Sequence, residues 1–200
     1  LNNEKVVLPI RVGDVIINSR GEAEFKLTGD TPIREFPTKD NKIKGAVEIY
    51  QMPKKNNEGK VFNNRYIVGH DPVDDDSAET MSLTSTFVLD LWTDQIVAEY
   101  TGRQDYADDN FEKVRALCML YNAKCLYEKN KKGLFSYFSK MNCTHLLADT
   151  PQYLKDMEMV KVSGYGNNAK GVHATAGINN YANDLIRDWL LKPVTKILKD

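Results

Sequence analysis

Three acids in this 200-residue chain occupy positions from which carboxylates can converge. Asp71 closes the apolar run Arg65-Tyr66-Ile67-Val68-Gly69-His70 ahead of Pro72, and Glu128 closes Lys124-Cys125-Leu126-Tyr127. Asp184 lies in an apolar-faced segment near the C-terminus, with Asp188 one helical turn further on. Converging carboxylates repel one another unless a divalent cation with oxygen ligands relieves the repulsion. Mg2+ or Mn2+ suits such a set, since no Cys/His cluster of zinc type accompanies it. Two such ions about 4 Å apart serve an in-line displacement at a phosphodiester, one activating water and one stabilising the leaving oxygen. Each acid also has an ordinary alternative. Asp71 before a proline can form a turn, Glu128 can pair with Lys129 at the surface, and Asp184 can sit on the wet face of its helix.

For the acids to meet, strands must carry the first two to one sheet edge. Residues 66–71, 85–90 and 96–101 are rich in β-branched and aromatic types and read as three strands, the last two joined by a tight connection that suits an antiparallel hairpin. Phe111, Val114, Leu117, Cys118 and Tyr121 then recur at helical spacing behind Asp105, Asp108 and Asp109, acids that favour a helix N-terminus. Residues 124–128 read as a fourth strand, and Asn130 is placed to cap a second helix with Leu134, Phe135, Tyr137, Phe138 and Met141 on its apolar face. A fifth strand is predicted over 145–149, and a last helix over 179–191 with Tyr181, Leu185, Ile186, Trp189 and Leu190 on one face. A meander followed by βα units implies a mixed five-stranded α/β sheet flanked by helices. Its first and fourth strands would be neighbours, bringing Asp71 beside Glu128, with the final helix supplying the third acid. His70 falls on the opposite side of its strand from Asp71 and reads as structural.

Residues 1–60 differ in character. Val6-Val7-Leu8, Val15-Ile16-Ile17 and Ala23-Glu24-Phe25-Lys26-Leu27 are short strand candidates, so the expected organisation is a β-rich extension over 1–60 packed on a main domain over 61–200. The net charge of -1 does not announce a nucleic-acid binder, so any DNA contact must come from local groups. Lys129, Lys131 and Lys132 flank Glu128 at a helix start, where ammonium groups and free N-H groups both meet phosphate. Lys161, Lys170 and His173 lead toward Asp184. Solvated surface lysines are the plain alternative. Cys118, Cys125 and Cys143 have no C-x-x-C spacing and read as buried thiols of a reducing compartment. No apolar run reaches the ~18 residues of a membrane span. An intracellular, soluble chain is expected, and its start at Leu1 suggests a fragment of something longer. The loop Gly164-Tyr165-Gly166-Asn167-Asn168-Ala169-Lys170-Gly171 lacks the order of a phosphate-binding P-loop.

Several of these stretches together resemble a known family. Residues 65–72, Thr86-Phe87-Val88-Leu89-Asp90, Ile96-Val97-Ala98-Glu99-Tyr100-Thr101-Gly102-Arg103, Leu120-Tyr121-Asn122-Ala123, Tyr127-Glu128-Lys129-Asn130-Lys131-Lys132-Gly133-Leu134 and Lys161-Val162-Ser163-Gly164-Tyr165-Gly166 are similar to the nuclease domain of bacteriophage large terminase subunits, most of all to the crAss-like phage group. The resemblance spans roughly residues 45–193. It implies a ribonuclease H-like fold and cleavage of concatemeric viral DNA in the host cytoplasm by two metal ions. Asp71 and Glu128 would be the first two ligands, with Asp184 or its rival Asp188 as the third. Asp75 is the accessory candidate within the run Asp74, Asp75, Asp76, and Lys129, Lys131, Lys132 and Lys170 would contact DNA. It further implies an ATPase domain earlier in the full chain, consistent with the missing Walker motif, and a portal and small terminase subunit as partners. Two alternatives stay open: a junction-resolving nuclease on the same fold, and a module that docks on a portal or DNA without cutting.

Overall fold

The structure is a computed structural model that describes residues 11–35, 37, 43–73, 82–156 and 170–191. Among the described residues seven strands, six of them ahead of the first helix, combine with helices in a mixed α/β arrangement. They are β1 (Arg11–Ile17), β2 (Ala23–Leu27), β3 (Val47–Ile49), β4 (Tyr66–Asp71), β5 (Thr84–Asp90), β6 (Gln95–Gly102) and β7 (Lys124–Tyr127). The helices are α1 (Ala107–Tyr121), α2 (Gly133–Lys140), the short α3 (Gln152–Asp156) and α4 (Ala176–Leu191). All seven strands form one sheet in the order β2-β1-β3-β6-β5-β4-β7, antiparallel throughout except for the parallel pair β4 and β7.

The expected five strands are thus corrected to seven, with two differences behind the number. The N-terminal strands join the sheet directly: β3 pairs antiparallel with β6, placing Val47 opposite Tyr100 and Ile49 opposite Ala98. A sheet edge with free N-H and C=O groups is a template for further pairing, and here the chain's own N-terminal strands occupy it. The predicted strand at 145–149 does not form. Leu146 and Leu147 give their N-H groups back to Cys143 and Thr144 within a 3-10 turn, Thr144–Leu146. Only isolated bridges remain, Leu147 to Cys125 and Asp149 to Lys170.

One face of the sheet is closed by α1. Phe111, Val114, Leu117, Cys118 and Tyr121 recur at three- and four-residue spacing and are buried with Tyr66, Val68, Val88, Ala98, Tyr100 and Cys125 in a continuous core. All three cysteines are buried and free. The end of β5 is held by a buried ion pair in which Arg65 donates Nε and Nη2 to the Asp90 carboxylate, the shortest contact being 2.7 Å. The same guanidinium lies 4.7 Å from the centre of the Trp92 ring. Among the described residues no helix is long and apolar enough to cross a membrane.

Candidate active site

The parallel pair sets the geometry. Ile67, Val68, Gly69 and His70 stand in register with Lys124, Cys125, Leu126 and Tyr127. Asp71 and Glu128 are the next residues on each strand, so they come side by side at the C-terminal ends. Register partners in a parallel pair share a face and alternate along it with period two. Asp71 and Glu128 therefore share the face of Gly69 and Leu126, and these two line an open apolar groove of about 650 Å³ with Leu185, Ile186 and Trp189 of α4. Asp71 is exposed and Glu128 half-buried.

Glu128 is held from the outer edge. Residues 170–172 run beside the end of β7, where Val172 gives its N-H to Tyr127 O at 2.8 Å and Lys129 gives its own to Val172 O at 2.9 Å. The close approach depends on Gly171, whose φ of +68° is left-handed and whose Cβ, if present, would stand 2.8 Å from Tyr127 O. The Thr150 hydroxyl bonds Gly171 O at 2.6 Å and fixes the same segment. Asn130 does not cap α2, whose N-cap is Lys132. Its amide instead clasps Ala174, donating to Ala174 O at 3.0 Å and accepting from Ala174 N at 2.9 Å. The loop after Glu128 is thereby tied to the segment leading into α4. Asn130 is thus the residue expected to cap α2, employed instead in this clasp, whereas Thr150 carries no motif that marks it in advance and Gly171 closes the glycine-rich loop noted above.

The N-terminal half of α4 lies at the strand ends. Ile178, Asn179, Tyr181 and Ala182 share with Glu128 a groove of about 290 Å³. Asn179 was not singled out from the sequence, and it brings a side-chain amide to the groove that holds Glu128. Asp184 is exposed on α4 and forms an ion pair with Arg187 at 3.0 Å, while Asp188 stands 3.6 Å from the same guanidinium. Among the described residues no group of three metal-capable side chains is assembled. The structure thus brings Asp71 and Glu128 together, while Asp184 is exposed on α4 and paired with Arg187. Asp74, Asp75 and Asp76, with Lys161, lie outside the described residues.

The predicted basic residues do gather. Lys129, Lys131, Lys132 and Lys170 ring one concavity of about 250 Å³, with Tyr127 and Phe135 in its wall. Lys131 donates to Pro72 O at 2.6 Å, one residue beyond Asp71. Lys170 pairs with Asp149 at 2.8 Å and holds that carboxyl below the usual range. His173 is exposed. His70 is buried on the other face, with Nδ1 2.9 Å from the Thr86 hydroxyl. Burial pushes its pKa down to about 3, so it is neutral at pH 7 and serves the core.

No family model and no curated relative matches the sequence. Among solved structures, the chain is similar to the large terminase nuclease from thermophilic phage G20c, at 14% identity and a TM-score of 0.38, over 56% of this chain and 50% of that one. The same nuclease with bound zinc aligns over 64% of each chain, at 14% identity and a TM-score of 0.37. The chain therefore spans between half and two thirds of the length of those structures, and likeness at this level assigns neither fold nor activity.

Proposed function

We propose that this chain is a ribonuclease H-like, metal-dependent endonuclease domain of a phage DNA-packaging terminase, which cuts concatemeric double-stranded DNA. The observation that carries the reading is the in-register parallel pair of β4 and β7, with Asp71 and Glu128 side by side at its C-terminal ends. The antiparallel run β6-β5-β4 followed by a parallel β7 supports the fold assignment.

Two adjacent oxygen-donor carboxylates, one half-buried, fit a hard divalent cation such as Mg2+ or Mn2+ better than a soft one. Held by Asp71, Glu128 and Asp184, with Asp75 assisting, two such ions would supply Lewis acidity to the attacking water and the leaving oxygen. The chain's own contribution is placement and charge. The strand register aligns Asp71 with Glu128, and the Gly171 and Asn130 contacts keep Glu128 at the groove. Asp184 has to exchange Arg187 for the site. Lys129, Lys131, Lys132 and Lys170 hold the DNA backbone through charge-assisted contacts that position without reading sequence. The portal, the small terminase subunit and an ATPase domain of the full-length chain are the partners this reading requires, and the host cytoplasm is its setting.

Incubation of supercoiled plasmid with Mg2+ or Mn2+ should give nicked and linear products. Those products should be lost in EDTA and in Asp71→Asn or Glu128→Gln. Plasmid left intact under every metal at high protein concentration would overturn the reading.

A further inference from the structure

Three of the four lysines around the concavity have no ion-pair partner among the described residues. Lys170 pairs with Asp149 at 2.8 Å. Lys131 donates a hydrogen bond to the Pro72 carbonyl, a neutral acceptor that leaves the ammonium charge uncancelled. Among the described residues, no carboxylate pairs with Lys129, Lys131 or Lys132. Three ammonium groups without a carboxylate partner among the described residues therefore line one concavity of about 250 Å³.

Such a site favours an anion of high charge with several free oxygens. An internal phosphodiester carries a single negative charge, and two of its oxygens are esterified. A phosphate monoester carries about −1.5 to −2 at neutral pH and presents three acceptor oxygens. Location narrows the source of that group. Tyr127 in the wall immediately precedes Glu128, and Lys131 is bonded one residue beyond Asp71, so the concavity and the two carboxylates share the same strand ends.

We propose that this concavity binds the terminal 5′-phosphate of a DNA strand, retaining the end that cleavage creates. Only the origin of that end rests on the nuclease reading. Hydrolysis forms a bond from the water oxygen to phosphorus, breaks the bond from phosphorus to the 3′ oxygen, and leaves that oxygen protonated. The second water proton stays on the new phosphate or is released to solvent, so the charge at the cut rises toward about −2. The lysines then hold the product end more tightly than the uncut strand.

The test is equilibrium binding in EDTA, so that cleavage plays no part. Fluorescence anisotropy would follow a short oligonucleotide, labelled at its 3′ end, carrying either a 5′-phosphate or a 5′-hydroxyl. The phosphorylated form should bind about tenfold tighter or more, the effect of at least one added charge-assisted hydrogen bond. Lys129→Ala combined with Lys132→Ala should bring the two oligonucleotides to equal affinity, whereas Lys54→Ala with Lys55→Ala should leave the ratio unchanged. Equal affinity in the unmodified protein would overturn the proposal, as would a preference that survives loss of Lys129 and Lys132. Inorganic phosphate displacing the oligonucleotide at equimolar concentration would assign the site to free phosphate and overturn the DNA-end assignment. A retained 5′-phosphate preference with plasmid left uncut would reject the nuclease reading and keep the phosphate site.

Discussion

Replacing Gly171 with alanine tests how Glu128 is held. The residue has φ +68°, and left-handed backbone costs a non-glycine residue ~1–2 kcal/mol. The new Cβ would also stand 2.8 Å from Tyr127 O and 2.9 and 3.0 Å from two atoms of the Tyr127 ring. Overpacking of this kind costs a further ~1–3 kcal/mol. Gly21 supplies the control, because its φ of +78° carries the same strain while nothing lies within 4 Å of its Cβ position. In urea unfolding, Gly171→Ala should lose roughly 2–5 kcal/mol and Gly21→Ala only the ~1–2 kcal/mol of backbone strain. The difference isolates the collision with Tyr127. Relief of that collision pulls the 170–172 segment from β7 and breaks the two backbone bonds that flank Glu128. Metal-dependent plasmid cleavage should accordingly fall further than the loss of folded protein explains. Equal destabilisation by the two substitutions, with cleavage intact, would refute the account of Gly171 as the residue that lets this segment seat Glu128.

Three other outcomes are expected. Asp184→Asn should abolish cleavage while Asp188→Asn retains it, and the reverse pattern in a plasmid assay would make Asp188 the third ligand. Asp90→Ala leaves the buried Arg65 guanidinium without its carboxylate and should cost ~3–5 kcal/mol, read as a lowered urea midpoint. Glu99 stands directly opposite the buried Glu48 across β3 and β6, and Arg34 bonds the Glu48 carboxylate. Burial, followed by the nearby Glu48, raises the Glu99 pKa despite a hydrogen bond from Tyr50. The native state thus takes up a proton before the unfolded chain does as pH falls, and the penalty of the charged form is present above the raised pKa. Glu99→Gln should therefore stabilise by up to ~1 kcal/mol at pH 7, and the gain should shrink as pH falls through the raised pKa toward the ordinary carboxylate range. A gain that grows on acidification would contradict this sign.

What local pattern determines was legible in the residues themselves. Alternating β-branched and aromatic types placed β4, β5, β6 and β7 close to their observed bounds, and the three- and four-residue spacing from Phe111 to Tyr121 marked α1. The neighbourhood of Asp71 and Glu128 also followed, because a parallel return through a helix leaves few arrangements for the strand that carries Glu128. Long-range pairing was not legible. Nothing within Val47–Ile49 says that β3 will pair with β6 some fifty residues later, and only the closed core shows that the N-terminal strands extend the sheet. Residues 145–149 have strand-like composition, yet a 3-10 turn took the donors of Leu146 and Leu147 locally. The clasp of Asn130 on Ala174, the fit of Gly171 against Tyr127 and the gathering of Lys170 with Lys129, Lys131 and Lys132 join residues about forty positions apart. Sequence by itself determined the side-chain types of Asp71, Glu128 and Asp184 and the elements on which they ride, since side-chain type and local periodicity are properties of the chain. Tertiary structure alone decided which of them share a face, an edge or a concavity, because those distances exist only once nonlocal strand pairing and packing have closed the sheet.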